Sequence, residues 1–565
     1  MTRSLPKTTT TAADARAVAP LTAADALPAP PRAVVADSTH DDSGSGALSV
    51  RQAWRWWLPP ATVALLFAIY FIDPFAGDWD ALDYTINSVR GEPSSMLFGR
   101  MLFIFTNHAA YRVANALFGL PAEQAYLLFK YMVVVETPFA VVACWTLARE
   151  LSGSVRAATV AAFMLALSPF FIVYSGQAMT ETPSILLLCL ALITHLRGLR
   201  RRQTWQVLAG AALLGLCVNI REPVGFFGVW LLLAPHLCYG WKLKRRELFL
   251  TASACALFLT FALAPFALWW LLDVRGYRAS WYGWVASMRA ESAVHPVKLS
   301  NLVPFLELFL IAAPATLLAL PFALRREWRE RKRWTPMLLI ALVGLFVQLM
   351  LLANYSTVIN GRYQLTGLPG LFPLTAAYLL RRASERTRAR GSRNGSARRA
   401  LVYTCALVAV ASFLTGTLVY VFASRTLANH ALTKEYRARL ASLPRDAVVM
   451  AGGQTVAVNY YRGLGLGEWD IIGTGGGWPG AERLPEQIEW HLTQGHRVFV
   501  DADPRLWSMD SWHEQETRAL VNLETRFRFR RFSGTIYEIR PPTDDTARDH
   551  PNLHRLLDIP KTLFR

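Results

Sequence analysis

The segment Thr180-Glu181-Thr182-Pro183-Ser184-Ile185-Leu186-Leu187-Leu188-Cys189-Leu190-Ala191-Leu192-Ile193-Thr194-His195-Leu196-Arg197-Gly198-Leu199-Arg200-Arg201-Arg202 carries the fold in miniature. A hydroxyl, an acid and a proline open it, an apolar run follows, and arginines close it. Thr180-Glu181-Thr182-Pro183 is helix-start chemistry, with a capping hydroxyl and a proline where the backbone N–H is spare. The apolar run is close to the length that crosses the hydrocarbon core. The arginines mark its cytoplasmic end. Glu181 then lies at the opposite rim, where an acid is costly and needs a partner or a function. Both a capping role and a working role are open to it.

The same alternation runs through the chain. Of 565 residues, 53% are hydrophobic and 18% charged, and the apolar runs are bounded by charge or by Pro and Gly, which describes a polytopic membrane protein. Spans are expected near 57–72, 124–147, 156–174, 182–197, 204–220, 223–241, 248–272, 302–323, 336–353, 365–380 and 400–423. With these spans the basic groups 197–202, 242–246, 325–333 and 381–399 all fall on the cytoplasmic side. The net charge of +19 therefore reflects topology and anionic lipid headgroups rather than nucleic acid. The six cysteines lie in or at the ends of apolar segments, without CxxC or zinc spacing, so neither a disulfide framework nor a cysteine metal site is supported.

Residues 1–50, rich in Ala, Thr, Pro and Asp, read as a disordered cytoplasmic tail. They lack the basic start and apolar core of a cleavable signal peptide. Residues 51–424 form the membrane domain, with outer-face loops 73–123 and 273–301. The stretch 96–118, apolar but broken by Arg100, His108 and Arg112, reads as a helix lying on the outer face. Residues 425–565 read as a soluble extracytoplasmic α/β domain. Short strands are expected at 447–451 and 497–501, and helices at 482–494 and 513–523. The Gly-rich 473–477 is a loop, because no helix follows at dinucleotide-binding spacing. The expected architecture is thus an α-helical polytopic membrane protein with about 11 transmembrane helices and a C-terminal α/β domain.

Polar groups converge on the outer face. Gly77-Asp78-Trp79-Asp80-Ala81-Leu82-Asp83-Tyr84 follows the first span. If it continues as a helix, Asp80 and Asp83 share a face and Asp78 lies near the N-terminus. Such acids favour the helix dipole, and they also suit proton abstraction or metal binding. Tyr174, Gln177, Thr180 and Glu181 gather at one turn and Arg221-Glu222 at another, the latter also readable as a mutual structural pair. Glu136, deep in the second span, suits a structural hydrogen bond. The loop 273–301 carries Asp273, Arg275, Arg278, Arg289, His295 and Lys298 among Trp281, Tyr282 and Trp284. A basic loop outside the membrane suggests a bound anion, or anchoring at the interface. Arg362-Tyr363 adds another cation and a hydroxyl. Arginine clusters suit phosphate because the guanidinium offers paired donors. Acids on one side and cations on the other suit a lipid-linked sugar phosphate, with the cations holding the leaving phosphate and an aspartate taking a proton from an acceptor hydroxyl.

Four segments carry a family resemblance. They are Gly77 to Tyr84 with the amphipathic stretch ending Leu117-Phe118-Gly119, Tyr174-Ser175-Gly176-Gln177-Ala178-Met179-Thr180-Glu181-Thr182-Pro183, Asn219-Ile220-Arg221-Glu222-Pro223, and Gly361-Arg362-Tyr363-Gln364-Leu365 leading to Leu368-Pro369. In order and membrane side they resemble the GT-C glycosyltransferases of the family 39 type. Those include relatives of dolichyl-phosphate-mannose protein mannosyltransferases and of bacterial lipid A aminoarabinose transferases. The resemblance implies an inner-membrane hexosyl- or pentosyltransferase with a polyprenyl-phosphate sugar donor and a glycan, lipid or protein acceptor. It places catalytic acids at Asp78 or Asp80 and at Glu181. Arg362 and Tyr363 fall on the donor-phosphate side, where Arg221, Arg275, Arg278, His295 and Lys298 are further candidates. The adjacent Asp-Glu pair common in the family is replaced here by Asp78-Trp79-Asp80. Some relatives use a divalent metal, which leaves that cofactor open. A lipid-linked-glycan transporter and a non-enzymatic envelope assembly protein are the competing classes. The former tends to show internal repeats and midplane charges, whereas this sequence shows no convincing repeat and most of its charges sit at the outer rim.

Overall fold

The computed structural model describes residues 50–72, 79–94, 97–242, 244–294, 297–330, 333–352, 360–389, 396–416, 427–451, 454–472, 483–507 and 514–558. Asp78, His295, the tail 1–49 and the Gly-rich 473–477 lie outside these residues. The described residues from Trp54 onward form one compact unit.

A helix occupies each expected span. They are α1 (Val50–Tyr70), α4 (Ala125–Ser152), α5 (Val155–Ala166) with α6 (Pro169–Ser175), α7 (Glu181–Arg201), α8 (Thr204–Val218), α9 (Gly228–Leu237), α10 (Arg245–Leu272), α12 (Leu302–Ala312) with α13 (Pro314–Glu330), α14 (Pro336–Leu352), α15 (Leu368–Ala389) and α16 (Ser396–Ser412). Between them stand α2 (Trp79–Arg90), α3 (Met101–Phe118) and α11 (Tyr277–Val294). The chain is a multi-pass membrane protein. Four of its helices are long and apolar enough to cross a membrane, and two bent pairs raise that to six among the described residues. Three shorter apolar helices, 204–218, 222–237 and 336–352, accompany them.

Two expected spans are broken, and proline explains both. α6 begins at Pro169 after a bend of 64°, and α13 at Pro314 after a bend of 104°. Proline cannot donate to the preceding turn, so a new helix starts there. The breaks meet inside the bundle, where the Ser168 hydroxyl donates to the Ala312 carbonyl at 2.8 Å. In hydrocarbon a freed carbonyl must find such an internal partner. Elsewhere small residues allow close approach: a Cβ on Gly210 of α8 would stand 2.6 Å from the His195 backbone nitrogen of α7.

The C-terminal region forms a five-stranded sheet of order β2-β1-β3-β5-β4, from β1 (Val448–Met450), β2 (Asp470–Ile472), β3 (Val498–Asp501), β4 (Arg528–Ser533) and β5 (Ile536–Arg540). β1 runs parallel to β2 and β3, with Val448 beside Asp470 and Val498. β5 pairs antiparallel with β3 and with β4. Helices α17 (Leu427–Ala441), α18 (Thr455–Gly463), α19 (Leu484–Thr493) and α20 (Glu514–Asn522) accompany the sheet. The expected strands and helices are all present. β2, β4, β5, α17 and α18 are not among the expected elements; β4, Arg528–Ser533, is charge-rich and lacks apolar alternation. All six cysteines are free thiols.

Candidate active site

Five elements meet at one end of the helical bundle. α7 starts there and α8 ends there. Their other ends meet at the basic end of α7, where Arg197 and Arg200 pair with Glu150 of α4. At the meeting point stand the N-terminus of α7, the turn after α8, the turn Gly361–Thr366 before α15, the turn Leu97–Arg100 before α3, and α2.

Each element delivers a charge. Glu181 opens α7 and is fully buried. Its carboxylate pairs with Arg221, also buried, and stands 3.7 Å from the Arg362 Nε. Arg362 donates from Nη2 to Asp80 Oδ2 at 2.5 Å. Arg100 pairs with Glu222 at 3.1 Å. The adjacent Arg221 and Glu222 therefore do not form a mutual pair, since the extended backbone at Arg221 sends the two side chains to different partners. Thr180 does not cap α7 with its side chain. Its hydroxyl instead accepts from Arg100 at 3.0 Å and Arg221 at 3.2 Å. Thr366 accepts from the Arg221 Nε at 3.3 Å. The Tyr363 ring lies under both Arg221 and Arg362, at 4.9 and 5.5 Å from the guanidinium carbons to its centroid.

On α2 the expected shared face is present. Asp80 accepts from the Tyr84 hydroxyl at 3.1 Å. Asp83 accepts from Asn87 at 2.9 Å and Ser94 at 2.8 Å, which fastens the end of α2 to the following turn. The two acids titrate differently. Burial opposes the charge on Asp80, but the attraction of Arg362 and Arg100 and the Tyr84 and Arg362 hydrogen bonds overcome it and hold its pKa below the usual value. Burial dominates at Asp83, aided by the neighbouring charge of Asp80, and raises it to about 6. Tyr84 is pushed well above the usual tyrosine value, first by burial, so it remains a donor.

Arg100 was legible only as an interruption of an apolar stretch. It lies in a run of left-handed backbone, with φ of 56° at Phe98, 67° at Gly99 and 48° at Arg100. Non-glycine residues rarely adopt this conformation, and such strain gathers at functional sites. The run aims Arg100 inward, and the Leu102 N–H then bonds the Asn219 carbonyl at 3.1 Å.

The other candidate cations stand apart from this cluster. Arg275 pairs with Glu92 at 2.7 Å and is 60% exposed. Arg278 faces Asp273 at 3.6 Å and the Trp270 ring. Lys298 is exposed. Among the described residues, no group of three His, Cys, Asp or Glu side chains is placed to hold a metal ion. Asp80, Glu181 and Glu222 each face an arginine, so the described donors do not fit a divalent cation.

Gly361 sets the position of Arg362. A Cβ there would run into the Phe170 ring of α6, which is itself fully buried. Gly361→Val is expected to push the turn outward, at an overpacking cost of about 1–3 kcal/mol. The melting temperature in detergent should fall, and Phe170→Ala in the same chain should recover most of the loss. A fall without such recovery would place the constraint elsewhere.

Comparison with known proteins agrees with this geometry. Residues 108–270 match the family model of dolichyl-phosphate-mannose-protein mannosyltransferase. The match includes Glu181 and Arg221 but not Asp80, Arg100 or Arg362. The chain is similar to ArnT from Cupriavidus metallidurans, solved bound to undecaprenyl phosphate, with 14% identity and a TM-score of 0.52, covering 88% of this chain and 100% of that one. It is also similar to the Archaeoglobus fulgidus oligosaccharyltransferase tethered to an acceptor peptide, with 13% identity and a TM-score of 0.50, covering 90% of this chain and 75% of that one. No curated protein sequence matches the chain significantly. The GT-C resemblance carried by four short segments is borne out in three dimensions: the chain has the GT-C fold.

Proposed function

We propose that the chain is a membrane glycosyltransferase that moves a sugar from a polyprenyl-phosphate carrier to an acceptor hydroxyl. The observation that carries this reading is the buried set of three arginines and three carboxylates at one end of the bundle. In hydrocarbon surroundings so many charges are retained for a function. Arg221 Nη2 and Glu181 Oε2 are buried without hydrogen-bond partners among the described residues. A donor phosphate would supply an acceptor for the Arg221 Nη2 group that Glu181 leaves unpaired. The ArnT neighbour, with undecaprenyl phosphate bound, supports a carrier of this class. The oligosaccharyltransferase neighbour, tethered to its acceptor peptide, supports an acceptor at the same kind of fold.

In this reading Arg221, Arg362 and Arg100 hold the donor phosphate, with Tyr363 beneath two of them. Asp80, at the rim and 14% exposed, releases Arg362 to the incoming phosphate. Loss of that cation raises the basicity of Asp80. Its carboxylate takes the acceptor hydroxyl proton as that oxygen attacks the anomeric carbon. The bond from that carbon to the phosphate oxygen breaks, and the polyprenyl phosphate leaves with the electron pair, stabilised by the arginines. A single displacement inverts the anomeric centre. Asp78 is the alternative base. The site lies at the opposite end of the bundle from the arginine-rich loops, which supports a location on the outer side of the inner membrane.

The test is purified full-length chain incubated with polyprenyl-phosphate hexoses and pentoses, with and without divalent cations. Free polyprenyl phosphate is the readout, and release from at least one donor is expected. If no donor yields it under any condition, the transfer reading fails and transport of a lipid-linked glycan takes its place.

A further inference from the structure

The helix that carries Asp80 belongs to two cores. Leu82 and Ile86 of α2 are buried in one hydrophobic cluster with Val458 and Tyr461 of α18, Val449 of β1 and Phe499 of β3. At ~100° per residue, Leu82 and Ile86 lie roughly opposite Asp80 and Tyr84. One face of α2 therefore enters the ion cluster and the other completes the core of the C-terminal domain.

The contact is close. A Cβ on Gly463, at the end of α18, would stand 2.5 Å from Ile86 Cδ1 and 2.8 Å from Arg90 Nη2. Tyr126 of α4 packs against the same cluster, and Arg437 of α17 reaches Glu123 at 3.3 Å. α2 is only 12 residues long. A helix of that length is marginal by itself and takes its stability from packing of its apolar face. Here a large part of that packing comes from α18.

We propose that the C-terminal α/β domain is the positioning element for Asp80, holding α2 through the Gly463–Ile86 contact so that the carboxylate meets Arg362. This rests on the reading of Asp80 as the base. The domain touches no reacting atom; it acts through α2. The groups around Asp80 are Arg362 and Arg100 from the two flanking turns, Glu181 from α7, and Asp83 and Tyr84 from α2. Lys130 of α4 and His108 of α3 stand on the helices packed against α2. Displacing α2 takes Asp80 away from its two arginines, and its pKa then rises.

The experiment uses the full chain in detergent with three variants: Gly463→Leu, Ile86→Ala, and both together. Leucine at 463 drives α18 off Ile86, and alanine at 86 returns nearly the same volume. Hydrogen exchange of the amides 79–90 is expected to rise at least tenfold in Gly463→Leu and to return toward wild type in the double variant. With a mixture of undecaprenyl-phosphate glucose, mannose and galactose, kcat for carrier release is expected to fall at least tenfold. The donor KM should stay within about threefold. The acid limb of kcat/KM should move up by about one pH unit, as expected when a carboxylate loses a cation. The double variant should restore both. Unchanged exchange at 79–90 overturns the proposal. So does raised exchange with wild-type kcat, or lost activity that Ile86→Ala does not rescue. If Asp80→Asn remains active, the base assignment fails instead, and the exchange data still decide whether α18 holds α2.

Discussion

Asp80→Asn is expected to slow transfer about a thousandfold and to tighten product binding. Asparagine keeps the size of the side chain and can still accept from Arg362, so the fold is expected to survive. What disappears is a charge to which the proposed mechanism gives two functions. On the proposed reading of Asp80 as the general base, a role typically worth about 10²–10⁴ in rate, a fall near 10³-fold in kcat is expected. As an anion 2.5 Å from Arg362, it would in the same reading compete with the donor phosphate for that guanidinium. Removing the competitor should lower the Kd for undecaprenyl phosphate, measured by scintillation proximity or by product inhibition. A purely structural aspartate would weaken both properties together. The wild-type kcat/KM should stay level on acidification to about pH 4, because a carboxylate whose pKa is lowered by arginines remains ionised as pH falls. Asp83→Asn is the control. Its carboxylate bonds Asn87 and Ser94 rather than an arginine, and the expected loss is under tenfold. Near-normal transfer by Asp80→Asn would move the base to Asp78.

Much of this site was legible in the amino-acid sequence, for a definite reason. Charges at membrane depth are rare enough to announce themselves, so Asp80, Glu181, Arg221 and Arg362 stood out against apolar runs. Alternation of basic loops put all four at one rim. What one dimension could not supply was pairing. Arg221 and Glu222 are neighbours in the chain, yet each has its partner on another element, because pairing is decided by backbone direction at a turn. Arg100 was hidden for a different reason. Its inward aim depends on three consecutive left-handed residues, and only the glycine among them leaves a trace in the sequence. Arg275, Arg278 and Lys298 show the opposite case. Their local composition resembled an anion site, but their neighbours Glu92 and Asp273 satisfy two of them at the surface. The C-terminal sheet was half legible. The apolar strands β1 and β3 declared themselves, and the arginine-rich β4 did not.

The buried pair Glu181–Arg221 separates stability from function more sharply than any other position. Both side chains are out of contact with solvent, and each leaves one polar atom without a hydrogen bond among the described residues. Arg221→Leu leaves the Glu181 charge facing only Arg362 at 3.7 Å. Breaking a buried pair from one side costs about 3–5 kcal/mol, so a large fall in melting temperature is expected. Glu181→Leu should do the same, because Arg221 then keeps no carboxylate partner, only the hydroxyls of Thr180 and Thr366 and the Tyr363 ring. The double variant, leucine at both positions, removes both desolvation costs at once. Its melting temperature should recover to well above either single variant, since apolar replacement of a whole buried pair is often neutral or stabilising. Transfer should not recover. In the proposed mechanism the leaving phosphate loses a cation when Arg221 is gone, and loss of one such donor costs about 10²–10³ in kcat. A stable but inactive double variant is therefore the signature of charges retained for chemistry. A stable double variant with wild-type transfer would make the pair a scaffold and leave the phosphate to Arg362 and Arg100.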